Sequence, residues 1–302
     1  MAPGQNQIKM IDILIPTVAQ GLLWALLALG VYITFRVLDI ADLSVEGSFP
    51  LGAAVAATAL VNGYGMIPAF LLAAAAGALA GIVTGFFTTQ LRIPALLAGI
   101  LTMIGLYSVN LHVMGKANIA LLRVETIFTY TESFGLNSAS AMLIVGILAA
   151  LLVGGVMYWF FGTEIGTAIR ATGCNPQMAR AQGVNTNKMI LFGLLISNAL
   201  VALSGALVAQ SNGFADVGMG TGTIVIGLAS VIIGEVLFGT KSFKNCLISV
   251  ILGSIVYRLV IAIVLQLGMP PNDLKLFTAL LVALALSMPL IREKMRQRRS
   301  RI

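Results

Sequence analysis

The sequence predicts an all-α integral membrane protein, a polytopic helical bundle of about eight to ten transmembrane helices. Three observations predict it. Hydrophobic residues make up 59% of the 302 and charged residues only 10%, against about 25% charged in soluble domains. Apolar runs long enough to cross a bilayer recur along the whole length, so residues 1–302 form a single transmembrane domain with no room for a soluble catalytic one. Lys and Arg fall mostly on one side of the resulting topology.

Taken in order, the passes are roughly 12–35, 47–62, 66–89, 93–114, 139–161, 188–210, 223–238, 245–267 and 273–291. The first should be retained, because no small-residue cleavage site follows a short apolar region. Those at 47–62 and 223–238 are about 16 residues long, short for a crossing, and read as broken or re-entrant. A faint repeat supports this. Ile40-Ala41-Asp42-Leu43 with Gly47 matches Phe214-Ala215-Asp216-Val217 with Gly220, each after a membrane helix and before a short apolar segment. The two copies lie on opposite faces of the topology, as in an inverted repeat that builds a midplane site; a chance match over four positions is the rival reading. Gly77, Gly81 and Gly85 in the third pass have the spacing of close helix packing.

Orientation follows from the basic residues. Six of the 18 Lys and Arg lie in the tail 292–302, which reads as a cytoplasmic anchor to anionic lipid rather than a nucleic-acid site, despite the net charge of +7. With that tail inside, 13 basic residues fall inside and four outside (Lys9, Lys116, Arg123 and Lys275). The N-terminus is then outside. Cys174 and Cys246 both fall on the cytoplasmic side, where a disulfide is not expected. The outer segment 115–138 is long enough to meet a soluble partner; a plain solvated loop is the alternative.

Between the fifth and sixth passes lies a polar island, residues 163–188, TEIGTAIRATGCNPQMARAQGVNTNK. It carries helix punctuation. Ile165, Ala168, Ile169 and Thr172 share one face of a first short helix, with Gly173 as its C-cap candidate. Asn175 reads as an N-cap with Pro176 at the first helical position, giving a second helix Pro176–Gln182 closed by Gly183. Asn185 or Thr186 caps the next membrane helix. Arg170 and Arg180 are left for a partner. Two readings stand side by side: a rigid docking knob, and an ordinary loop whose amphipathic helices rest among lipid headgroups.

The island resembles the cytoplasmic loop of the ABC-transporter permeases that include the branched-chain amino acid and ribose importers, through Gly166, Arg170, Asn175, Ala179, Arg180, Gly183 and Asn185. Asp42-Leu43-Ser44-Val45 resembles that family's segment after the first membrane helix, with Glu46 a departure where ribose-type members usually continue with Gly-Ser. The likeness runs over roughly residues 24–290 and is nearest an amino-acid-type subgroup labelled tryptophan/tyrosine permeases. It implies a coupling helix that seats in an ATPase subunit, with Pro176 and Met178 beside the residues already named and Ala179 or Ala181 supplying apolar contact. It also implies a second permease copy, most simply a homodimer, and an extracytoplasmic solute-binding protein, in a bacterial-type inner membrane.

Nothing in the sequence points to catalysis or to a metal. Gly234 to Ser242 resembles a phosphate loop, but Thr240 separates Gly239 from Lys241 and no strand precedes it. The chain is therefore expected to be no enzyme and to bind no cofactor, with ATP and Mg on the partner ATPase. His112, the sole histidine, reads as structural. Charges inside a membrane usually face the protein interior; Glu235 and Arg258 qualify and are expected to pair. Asn198, with Ser197, Ser204 and Gln210, marks one helix as polar. Asp42, Glu46, Asn198, Asp216 and Glu235 are the candidates for a translocation path. The expected function is an importer permease for a small polar solute, an amino acid first. An importer for a sugar or nucleoside and an ion-coupled secondary transporter are the alternatives.

Overall fold

A computed structural model describes residues 3–270, 273–274, 276–284 and 287, with side chains from residue 13 onward. Among these, seven helical segments are long and apolar enough to cross a membrane, and Val45–Val61 is a shorter apolar helix. The basic tail 292–302 lies outside the described residues, and so does much of the ninth pass, of which 276–284 are helical.

Helix α1 (Pro3–Tyr32) ends in a π-helical turn, Ile33–Val37. An irregular strap, residues 38–44, leads into α2 (Val45–Val61). Helices α3 (Met66–Thr89) and α4 (Ala95–Met114) follow, then a short strand β1 (Asn118–Ala120) and α5 (Ile127–Glu132). Helix α6 (Ser138–Phe161) precedes the short α7 (Glu164–Cys174) and α8 (Pro176–Ala181). Then come α9 (Thr186–Asn212), strand β2 (Phe214–Asp216), a 3-10 turn (Val217–Gly220), α10 (Thr223–Phe238) and α11 (Phe243–Gln266).

Helices α1 and α9 form the centre. Leu23, Leu26, Leu27 and Leu29 of α1 are fully buried, as are Leu194 and Val201 of α9. Lipid is as apolar as leucine, so close packing and interhelical hydrogen bonds must hold such a bundle. The Ser197 and Ser204 hydroxyls donate to the carbonyls of Gly30 (2.7 Å) and Leu23 (2.9 Å), and Ser254 donates to that of Gly21 (2.8 Å). Helix α3 lies antiparallel along α9. A Cβ at Gly77 or Gly81 would collide with the carbonyls of Asn198 or Leu194, so the predicted glycine stripe is a packing face.

The chain has two ends. At one lie α7, α8, the α3–α4 loop and the α10–α11 loop. At the other, β1 pairs antiparallel with β2, with Asn118 opposite Asp216. Helix α1 runs toward the α7–α8 end, where Val37 meets Gly173 and Leu38 meets Gly193. Residues 38–44 then turn back into the bundle, and α2 continues to the β-strand end. The second break is the reverse. Chain leaving α9 at the β-strand end re-enters through Val217–Gly220, and α10 continues to the α7–α8 end. The two short segments are thus broken crossings of opposite direction.

The predicted Glu235–Arg258 pair is corrected. Glu235 pairs with Arg36, because α10 runs parallel to α1 and their ends meet. Arg258 instead lies over the Trp24 ring, 4.1 Å from its centroid. Gly173 is corrected too: it sits inside α7, where the Val37 carbonyl leaves no room for a side chain, and Asn175 is the C-cap.

Candidate functional site

Both breaks start from an aspartate turned onto its own backbone. Asp42 Oδ1 accepts from the Ser44 N–H at 2.9 Å, and Asp216 Oδ1 accepts from the Gly218 N–H at 2.7 Å. Backbone freed from a helix within a membrane needs such partners. Asn198, about 18 Å along α9 from its first residue at 1.5 Å per residue, completes the first break. Its Nδ2 donates to Asp42 Oδ2 (2.9 Å) and to the Leu194 carbonyl (3.1 Å). Its Oδ1 accepts from the Ser44 and Ser48 hydroxyls at 3.0 and 2.6 Å. The amide is fully used, and Asp42 is 2% exposed.

The N-terminal ends of α2 and α10 meet there. Glu46 Oε1 accepts from the Gly222 N–H at 3.0 Å, and a Cβ at Gly220 would fall on the Glu46 carbonyl. Beside this junction α4 closes on α2, with Leu106 and Met103 against Gly47. A cleft of about 470 Å³ opens between α2, α4 and the 3-10 turn, lined by Glu46, Tyr107, Ser108, Asn110, Gly218 and Thr221 among others. Asn110 is fully buried; its Nδ2 donates to the Gly47 carbonyl at 3.3 Å, and its Oδ1 has no partner.

Of the five path candidates, three gather here: Asp42 and Asn198 brace the junction and Glu46 lines the cleft. Asp216 sits on the β-strand side, where its Oδ2 accepts from Asn118 Nδ2 at 3.4 Å. Glu235 is at the far end of α10 with Arg36. Asn110, Tyr107, Ser108 and Thr221 were missed as path residues. The signal was present: three polar side chains within four residues of a largely apolar α4.

At the α7–α8 end, Gly173 aside, the capping residues are those predicted, and α8 stops one residue early, at Ala181 with Gln182 as its C-cap. Asn175 Oδ1 accepts from the Met178 N–H (3.0 Å), Pro176 opens α8, Gly183 has φ +82°, and Asn185 Oδ1 accepts from the Lys188 N–H (3.2 Å). Met178 is 51% exposed. Ala179 is 1% exposed and faces its own chain, so it anchors α8 instead of offering partner contact; the exposed Ala181 is the alternative that remains. Gly166 is buried where α7 crosses the Phe160 carbonyl. On the expected apolar face, Ile169 and Thr172 are buried but Ile165 is 49% exposed. The Arg170 guanidinium lies 4.7 Å from the Phe243 ring centroid, and Arg180 Nε donates to Thr186 Oγ1 (2.8 Å). Arg180, Arg92 and Asn185 line a groove of about 840 Å³ on this face.

Residues 13–286 match the family described as branched-chain amino acid transport system / permease component. The chain belongs to that family. It is the permease subunit of an ABC transporter, a multi-pass membrane protein whose family works with ATPase and substrate-binding partners. The permease is 37% identical over 269 residues to a tyrosine transport system permease protein of Clostridioides difficile (strain R20291), covering 89% of this chain and 88% of that one. An uncharacterized protein of Rickettsia prowazekii (strain Madrid E) is 34% identical, over 91% of this chain and 97% of its own. The autoinducer 2 import system permease protein LsrC of Yersinia pseudotuberculosis serotype O:1b (strain IP 31758) is 33% identical, over 60% of this chain and 50% of its own. Among solved structures, an inward-facing metal-chelate-type ABC transporter aligns with a TM-score of 0.47 and 16% identity, covering 97% of the permease and 90% of that chain.

Proposed function

We propose that the permease forms the path for a small polar solute, an amino acid first, and that a separate ATPase drives it through α8. The observation that carries this is the course of α9. It begins at the α8 knob, where Asn185 caps it, and at its middle Asn198 holds the strap that shapes the cleft. One helix therefore links the docking face to the path. Movement of α8 passes through the short turn 182–185 and then along one continuous rod. The similarity to a tyrosine transport permease supports an amino acid as solute.

The α7–α8 face carries Arg92, Arg170, Arg180 and Lys188, which supports a cytoplasmic placement. In this reading Met178 and Ala181 enter a groove of the ATPase and Arg180 meets acidic or carbonyl groups there. ATP and Mg belong to the ATPase, and this chain does no chemistry. The cleft opens on the flank of the bundle beside the 57% exposed Tyr107, which suits closure by a second copy in a homodimer. A binding protein delivers the solute at the β-strand end, and the C-terminus is cytoplasmic.

The test uses vesicles reconstituted with the permease, its ATPase and its binding protein. Gly183→Val opposes the positive φ, and Arg180→Glu reverses the charge offered to the ATPase. Both variants should insert normally, and both should lower ATPase co-purification and ATP-driven uptake at least tenfold. Normal uptake by both would reduce α8 to a surface loop. Uptake that runs on an ion gradient without ATP would favour a secondary transporter.

A further inference from the structure

We propose that Glu46 and Asn110 form a selectivity site for the ammonium group of the transported α-amino acid. The proposal rests on the reading of the cleft as the translocation path. Its starting point is an imbalance between donors and acceptors. Asn110 is fully buried, and its donation to the Gly47 carbonyl fixes which way the amide faces. That leaves Oδ1 as an acceptor with no donor. A buried polar atom without a partner needs an explanation, and a group that arrives with a ligand is one.

Glu46 lines the same cleft with a carboxylate. One of its oxygens takes the Gly222 N–H at 3.0 Å, and among the described residues no basic side chain pairs with the other. No Lys, Arg or His is among the residues that line the cleft. The wall opposite is apolar or aromatic, from Met103, Ile104 and Tyr107.

A site of this composition selects by charge and by hydrogen-bond count. An ammonium brings three donors and a positive charge. It can satisfy the Asn110 oxygen and the second Glu46 oxygen together, while an apolar or aromatic side chain lies on the Met103–Tyr107 wall. A neutral sugar gains no charge pairing there. A carboxylate without an ammonium is repelled. Glu46 also joins α2 to α10, so the solute's charge lands on the contact between the two broken crossings.

The experiment measures ATP hydrolysis and uptake together, in vesicles holding the permease with its ATPase and binding protein. The solutes are the twenty proteinogenic amino acids, D-ribose and adenosine. Wild type should carry at least one amino acid and neither D-ribose nor adenosine. Glu46→Gln keeps an oxygen for the Gly222 N–H and loses the charge; it should reduce uptake per ATP hydrolysed at least tenfold. Asn110→Leu should reduce uptake per ATP several-fold. Three results would overturn the proposal: uptake of D-ribose or adenosine with none of the amino acids, unchanged amino acid uptake in both variants, or parallel loss of hydrolysis and uptake in Glu46→Gln, which marks a structural residue. Each leaves ATP-driven transport intact in the wild type. Failure of the transport reading appears separately, as wild-type uptake that needs no ATP.

Discussion

The two broken crossings share a plan and differ in how tightly they are held. Each opens with an aspartate accepting from the N–H two residues on, and each feeds a short helix that runs from the middle of the bundle to one end. In the first, Asp42 is sealed in and its second oxygen accepts from Asn198, whose amide is saturated by four hydrogen bonds. In the second, Asp216 is partly exposed, its second oxygen has only a 3.4 Å contact from Asn118, and a three-residue ladder supplies the rest. Water competes for the second set and not for the first, and hydrogen bonds to charged groups in a dry interior are the stronger ones. The first break is therefore the fixed frame. The second is the weaker hinge of the pair, and α10 leads from it to the Arg36–Glu235 contact near α7.

The strongest way to break this comparison is to remove Asn198. Asn198→Ala strands the Asp42 carboxylate and two serine hydroxyls in a buried site. Stranding a buried charged acceptor costs about 3 kcal/mol or more. At roughly 2–4 °C per kcal/mol, Tm in detergent should fall by about 6–12 °C. Asp42→Ala should do comparable damage, since it removes both the turn and the partner of Asn198. A shift of less than about 2 °C for both would show that the first break is not the frame.

Much of this was legible in the sequence, for physical reasons that differ by residue. Asn175-Pro176 and Gly183 punctuate α8 locally, and local rules found its ends. The Ile40-Ala41-Asp42 and Phe214-Ala215-Asp216 match located both breaks, because the same backbone problem recruits the same side chain. What failed depended on neighbours in space. Glu235 was matched to Arg258, the charge inside another helix, whereas the partner Arg36 lies at the end of α1, and only helix direction puts those two together. Ala179 and Ala181 are equivalent in composition, and only the seat of α8 on its own chain tells the buried one from the exposed. Gly173 carries the residue type of a C-cap, yet the nearby Val37 carbonyl gives it another task. Asn110 was visible as a polar residue in α4, but its missing donor is a property of the cleft.

A second test acts where the two breaks touch. A Cβ at Gly220 would fall on the Glu46 carbonyl and lie 2.7 Å from Pro50 Cδ. Gly220→Ala must therefore push the 3-10 turn away from α2. Overpacking of this kind costs about 1–3 kcal/mol, less than loss of the Asn198 cluster because the weaker break can shift. Uptake should suffer more than stability, since the displaced turn lines the cleft. Wild-type uptake together with a large fall in Tm would reverse the assignment of frame and hinge.

The smallest effect is expected at Asp216. Asp216→Ala removes one turn hydrogen bond from a partly exposed site, where water replaces the lost acceptor. Loss of a comparable capping side chain costs about 1 kcal/mol, so Tm should drop by about 2–4 °C. Asp216→Asn keeps an oxygen for the Gly218 N–H and should recover most of that loss. Asp42→Asn should recover less of its own. An amide nitrogen in place of Asp42 Oδ2 would face the Asn198 Nδ2 donor, and turning Asn198 over to relieve this gives up its bond to the Leu194 carbonyl. The decisive quantity is the ratio of the two alanine effects, measured in one detergent on one preparation. A ratio of about three or more follows from these costs. Equal losses at Asp42 and Asp216 would mean that burial does not separate the two breaks, and the weaker hinge would have to be sought elsewhere than in the β1–β2 ladder.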